Sequence, residues 1–317
     1  KDGYGASVKL FKKLNIKKPK LVIMVDCGST SNDAIEFLND NKIKSIVIDH
    51  HEINKPFPKA NSIINPKKDK KLIEYSYLCA TALVYFFVDL LSLKIKSKMN
   101  IQDYLIYVLL ATVCDVMPLR NLNRVIALQV LKKFKVSSSC FFNEIYSLSK
   151  KKNKITINDL GYLFGPILNS GGRLGRSIYA TQVLSSDDVV IVKKFTYELF
   201  ELNNKRKVIE AATLNEIDFN KVDKDNKDVV IYYNSNINEG LIGIIAARLT
   251  DHFNKPSIVI TSSGKVLKGS ARSIYNYNIG AAIKKALDKN ILLGGGGHIM
   301  AAGFTLDKSK LKKFKEF

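Results

Sequence analysis

The sequence predicts an α/β protein: a parallel-sheet domain, a long connecting helix and a smaller α/β domain. Three observations carry this. Two apolar, largely β-branched runs, Leu21 to Val25 and Lys44 to Ile48, each end in polar residues, and a helical segment lies between them, the pattern of parallel strands with a helical crossover. A charge-rich stretch from the Ser185-Ser186-Asp187-Asp188 cap to about Asp218 has the length of one long helix. Beyond it, strand-like and helix-like segments alternate again. A chain of 317 residues is long for a single core. The expected division is 1–185, a connecting helix over 186–220, and 221–317.

Lys1 to Ser7 read as a turn into an amphipathic helix whose face is Val8, Leu10, Phe11 and Leu14. After the first strand, Ser29 to Asp33 cap a helix over Ala34 to Asn41. The second strand follows, and then a loop from Pro56 to Pro66 containing the short apolar piece Ser62-Ile63-Ile64. Apolar spacing at three and four residues predicts helices over Tyr77 to Leu93 and Ile101 to Cys114, the second stopped by Pro118. Helices are also expected at Arg124 to Phe134 and Phe141 to Ser149. Leu160 to Leu168 lead into Asn169-Ser170-Gly171-Gly172-Arg173-Leu174-Gly175-Arg176, where glycines beside an arginine let backbone approach a phosphate. In the second α/β unit, strands are expected at Asp228 to Tyr233 and Pro256 to Thr261. Helices are expected at Leu241 to Phe253 and Ile279 to Leu287. Lys268 to Ser273 is a strand end rich in donors.

Composition narrows the partners. The apolar fraction of 46% is ample for a packed core, so disorder is excluded as the general state. Net charge is +21, which favours an anionic partner, most simply nucleic acid. The cations are 43 Lys against 7 Arg, so each Arg marks a place where the bidentate fork matters: Arg124, Arg173, Arg176 and Arg272 fall in or beside motifs. Four cysteines without CxxC spacing indicate neither a zinc ribbon nor a disulfide framework, and a reduced, cytoplasmic protein is expected. The most apolar segment is interrupted by Asp89 and is too short to span a bilayer.

The chemistry gathers at two strand tips. One ends in Asp26-Cys27-Gly28 and the other in Asp49-His50-His51-Glu52, and open α/β sheets bind ligands at such ends. Two of the four histidines stand side by side there, so convergence on one divalent ion is expected. Further on, Gly294 to Gly297 with His298 are expected to form an anion nest of successive backbone N–H groups.

IDHHE, preceded by VDCG and followed by CDVMPL, resembles the DHH phosphoesterases. LNSGGRLG, EGLIGIIAARL, KGSARS and GGGGHIMAAG, in that order, are similar to the RecJ single-strand DNA exonuclease branch and its DHH-associated C-terminal domain. The resemblance implies that Asp26 bridges two Mn²⁺ or Mg²⁺ ions and that His50 and Asp115 are ligands of one of them. It implies that His51 contacts the scissile phosphate and that Asp49 orients a ligand. It further implies that Arg173, Ser270 and Arg272 grip substrate phosphates, with Gly295, Gly296, Gly297 and His298 beside them. Oxygen and imidazole donors without thiolate suit Mn²⁺ or Mg²⁺.

Family members also carry an earlier aspartate motif of the form DxDG. None precedes Asp26 here, and Asp2-Gly3-Tyr4-Gly5 belongs to a later turn. A Trp-His pair near Asn238-Glu239 is missing, as is an oligonucleotide-binding fold after Phe317. The expectation is therefore the central portion of a RecJ-type enzyme, with an incomplete two-metal site and little turnover alone. The implied activity is metal-dependent 5′-to-3′ exonucleolysis of single-stranded DNA in repair and recombination, with single-strand-binding protein or a helicase as candidate partners. The alternatives are a small-substrate phosphoesterase, such as an oligoribonuclease or cyclic-dinucleotide hydrolase, and a non-catalytic nucleic-acid-binding relative.

Overall fold

A computed structural model describes residues 5–225 and 228–317. The start of the expected N-terminal turn, Lys1 to Tyr4, lies outside the described residues. Packing divides the chain into two units, Lys1–Gly165 and Pro166–Phe317.

The first unit begins with α1 (Val8–Asn15), capped by the Ser7 hydroxyl, and continues through β1 (Leu21–Val25), α2 (Asn32–Asp40) and β2 (Lys44–Ile48). Ser62–Ile64, expected within a loop, is a third strand, β3, parallel to β2 with Ile48 opposite Ile64. The sheet order is β1-β2-β3, all parallel. Phe11, Met24, Ile35, Leu38 and Val47 close one sheet face under α1 and α2. Helices α3 (Ala80–Lys94), α4 (Leu105–Cys114), α5 (Asn121–Lys133), α6 (Cys140–Leu148) and the single turn α7 (Ile157–Asp159) complete the unit. Phe141, Phe142 and Phe164 are each fully buried, their rings meeting edge-on or tilted against one another.

A π-turn at Leu160–Phe164 passes into α8 (Gly165–Arg173). The Asn169 to Arg173 stretch is therefore helical, whereas the glycines suggest a loop. Gly171 is needed there by packing, since a Cβ would meet Arg176 O at 2.7 Å. Next come α9 (Ile178–Ser185) and α10 (Val189–Asn215), the long helix. The packing division falls earlier than 185 because α9 lies along α10 and the Ser170 hydroxyl donates to Leu199 O at 2.9 Å.

The second unit continues with α11 (Phe219–Asp225), β4 (Val230–Tyr233), α12 (Ile242–Phe253), β5 (Ser257–Ser263), β6 (Val266–Arg272), α13 (Ile279–Asp288), β7 (Gly294–Gly297), β8 (Ala301–Asp307) and α14 (Leu311–Glu316). Its sheet order is β4-β5-β6-β8-β7, with β4 parallel to β5 and the remaining pairs antiparallel. Val230, Val259, Ile245 and Leu249 fill one face, and Ile258, Ile260, Ile283, Phe304 and Leu306 the other. Burial on both faces explains why Ile258-Val259-Ile260 reads as a continuous apolar run.

Candidate metal centre and phosphate cradle

Both tips of the first sheet are shaped by local backbone. Asp26 follows β1 at φ +61°, a left-handed conformation that Asp tolerates better than most residues, and its N–H still donates to Ile48 O at 3.0 Å. Gly28 at φ +112° then turns the chain into α2; a Cβ there would meet both Val47 methyls at 3.1 Å. At the next tip, Asp49 N–H donates to Ile64 O, so β3 extends the support of β2 by one residue.

These turns bring together three side chains that are distant in sequence. His50 Nε2 lies 3.4 Å from Asp26 Oδ1 and 3.2 Å from Asp115 Oδ2. Asp115 arrives from the C-cap of α4, where its N–H donates to Ala111 O. Asp26, His50 and His51 each offer a ligand atom, all within 4.8 Å of one another. The His50 side chain is 9% exposed, whereas those of Asp26 and Asp115 are 63% and 48% exposed, so the imidazole forms the floor and the carboxylates the open rim.

Asp49 is 1% exposed and holds the tip rigid. Its Oδ1 accepts from His50 N–H at 2.8 Å and from His51 N–H at 3.3 Å, and lies 2.7 Å from His51 Nδ1. Its Oδ2 accepts from Ser29 N–H at 3.1 Å. Burial alone would raise this carboxyl, but the bonds from His51 and Ser29 hold it well below the usual carboxylate range. The same bond, opposed by burial and assisted by the charges of Asp49, Asp26 and Asp115, pushes His51 upward. Asn65, which sequence reading passed over, donates to Ser29 Oγ at 2.8 Å and to His51 O at 2.9 Å, tying β3 to both tips. A polar residue ending β3 was its only signal, hidden because β3 read as loop.

The second unit brings Arg173, Ser270 and Arg272 together. Arg272 Nη1 donates to Ser270 Oγ at 3.2 Å and to Ala271 O at 2.8 Å, while Arg173 Nη1 donates to Gly240 O at 3.2 Å. Burial, and then the neighbouring Arg173 charge, lower Arg272 from its ordinary value. Two guanidinium groups that repel each other in a partly buried site are relieved by an anion. The N-terminus of α12 adds its dipole, with Leu241 at the N-cap supplying no side-chain acceptor. Two glycines of the EGLIG motif make this approach possible. A Cβ on Gly243 would meet Arg272 Nη2 at 3.0 Å and Ser270 Oγ at 3.1 Å, and one on Gly240 would meet Arg173 O at 2.1 Å.

The expected glycine nest does not form: Gly294–Gly297 are the regular strand β7, antiparallel to β8. Gly295 and Gly297 answer to packing, since their Cβ atoms would meet Phe304 Cβ at 2.9 Å and Ala301 O at 2.4 Å. Gly296 pairs with Gly303, which pairs with Ser270, so it stands two strands from the cradle. His298 occupies the β7–β8 turn, its N–H donating to Ala301 O at 2.7 Å and its carbonyl accepting from Gly280 N–H at 3.1 Å.

A parallel-sheet unit with carboxylates and imidazoles at its strand tips, followed by a mixed sheet bearing paired arginines, is the arrangement of a DHH domain followed by a DHHA1 domain. Residues 4–112 match the DHH family, N-terminal domain, and residues 226–317 match the DHHA1 domain, so the chain carries both domains. Its sequence is similar to the single-stranded-DNA-specific exonuclease RecJ of Haemophilus influenzae, 28% identical over 99% of this chain and 58% of that protein. It is similar to RecJ of Escherichia coli to the same extent. The chain thus spans somewhat more than half the length of these relatives. Its fold is similar to that of RecJ in complex with Mn²⁺ from Thermus thermophilus, with a TM-score of 0.86 and 24% identity over 98% of this chain and 46% of that one. An exonuclease RecJ bound to manganese gives 0.81 and 24%, over 100% of this chain and 78% of that one. No helix of the described residues is long and apolar enough to cross a membrane.

Proposed function

We propose that this chain carries the metal centre and terminal-phosphate cradle of a single-strand DNA exonuclease that works from the 5′ end. The observation that carries the reading is the convergence of Asp26, His50 and Asp115 around His50 Nε2, within 3.4 Å. Carboxylate oxygens and an imidazole nitrogen fit Mn²⁺ or Mg²⁺, and the RecJ structures of similar fold include one with Mn²⁺ and one with Mg²⁺. A divalent ion bound there supplies Lewis acidity at a phosphodiester. The rest belongs to the chain's own groups. Asp26, His50 and Asp115 are assigned as ligands. Asp49 fixes the His51 ring through Nδ1, leaving Nε2 to contact a phosphoryl oxygen. Arg173, Ser270 and Arg272 hold a phosphate, and the net charge of +21 draws the polyanion in.

Roles in repair and recombination, and partners such as single-strand-binding protein or a helicase, belong to the same reading. The test is release of mononucleotides from 5′-phosphorylated single-stranded DNA in Mn²⁺. Release abolished by Asp115→Ala supports it, and release indifferent to that change ends it. Faster turnover of dinucleotides than of long strands would favour the small-substrate phosphoesterase instead.

A further inference from the structure

Val116 follows the carboxylate of Asp115 at φ +54°, a left-handed conformation that a β-branched residue adopts only at a cost. It occupies the residue after the C-cap of α4: its N–H donates to Val113 O at 3.1 Å, and Met117 N–H donates to Thr112 O at 2.9 Å. Glycine is the residue this helix ending favours. Nor does Val116 recover the cost by packing, for it is 86% exposed. The segment beyond it is firmly held. Buried Asn123 donates to Tyr77 O at 2.8 Å and to Pro118 O at 3.0 Å, and the Arg120 guanidinium lies 5.2 Å from the centre of the Tyr77 ring. Exposed Leu119 and Val125 flank exposed Arg120 and Arg124 there. A strained, solvent-facing valine beside a metal-site carboxylate, leading into an apolar and cationic run, has the chemistry of a single-strand contact. Aliphatic groups meet sugar and base, and guanidinium groups meet phosphate.

We infer that Val116 is a substrate-contact residue, its isopropyl group packing on the sugar and base of the nucleotide at the metal centre. This rests on the nuclease reading above. The test compares wild type, Val116→Gly and Val116→Ile in three measurements: thermal melting, Mn²⁺ titration by calorimetry, and anisotropy of a 5′-phosphorylated, phosphorothioate-linked single-stranded oligonucleotide. Val116→Gly relieves the backbone and raises Tm by about 2–4 °C. It leaves Mn²⁺ affinity unchanged and weakens the oligonucleotide about tenfold, while Val116→Ile keeps that affinity. Unchanged oligonucleotide affinity in Val116→Gly, or a lowered Tm showing that the valine packs within the chain, would overturn the assignment. A wild-type chain that binds Mn²⁺ but no oligonucleotide would end the nuclease reading itself, and the inference with it.

Discussion

Asp49 and His51 form a tight polar pair at the candidate metal centre, 2.7 Å between Oδ1 and Nδ1, with the carboxylate 1% exposed and the imidazole side chain 43% exposed. A buried anion that orients a solvent-facing ring sets both its tautomer and its basicity. Asp49→Asn removes the negative charge and weakens the bond that most raises His51. In the metal-free chain, the His51 titration followed by NMR should move down toward the ordinary histidine range. Loss of about 10–100-fold in metal affinity or activity is expected alongside it.

The cradle predicts a difference between two cations of equal charge. Arg272→Lys keeps the positive charge but loses the fork that reaches Ser270 Oγ and Ala271 O. Affinity for a 5′-phosphorylated oligonucleotide should fall by about tenfold or more, and removal of the 5′ phosphate should matter less to this variant than to wild type. Competition anisotropy at fixed salt reads both.

The last turn of α4, which presents Asp115, is packed against the glycine that follows the π-turn. A Cβ on Gly165 would lie 2.5 Å from Cys114 Sγ and 3.2 Å from Leu160 O. Gly165→Ala should destabilise the chain by about 1–3 kcal/mol, and adding Cys114→Ala should restore part of that loss. Urea unfolding of the two single variants and the double variant measures the coupling.

Asp159 anchors that π-turn. Its carboxylate, 5% exposed, accepts from Tyr146 OH at 3.0 Å, from Thr156 N–H at 2.9 Å and from Thr156 Oγ1 at 2.7 Å, and it pairs with Lys151. Burial opposes ionisation, yet the bonds from Lys151, Thr156 and Tyr146 hold the carboxyl below its ordinary value. A depressed carboxylate contributes stability that is complete above the unfolded value of about 3.9 and is lost as pH falls through the folded one. Melting temperature should therefore drop on acidification below about pH 4, and Asp159→Asn should flatten that decline while lowering stability at neutral pH.

Much of this could be read in the residues themselves. The strands β1 and β2 announce themselves as β-branched runs ending in carboxylates, so the meeting of Asp26 with His50 follows from strand order. Asp115 rested on family likeness, because an acid at a helix end is ordinarily a cap or a surface charge. Ser62–Ile64 was hidden by its length, three residues being too few to show a period. Gly294–Gly297 misled for a different reason: glycine has poor strand propensity, and only the Phe304 Cβ and the Ala301 carbonyl across the sheet explain why Gly295 and Gly297 must lack side chains. Gly243 within α12 is likewise dictated by partners far along the chain, Ser270 and Arg272, whereas Gly171 within α8 answers to Arg176 O five residues on and to the more distant Leu199 side chain.

Calorimetric titration of Mn²⁺ into the chain, set beside Asp26→Asn, His50→Ala and Asp115→Asn, addresses the metal centre most directly. The geometry predicts saturable binding by wild type and an affinity at least about tenfold weaker in each variant, with the fold unchanged by circular dichroism. Isotherms that overlay wild type in all three variants would contradict a shared cation between β1, β2 and α4.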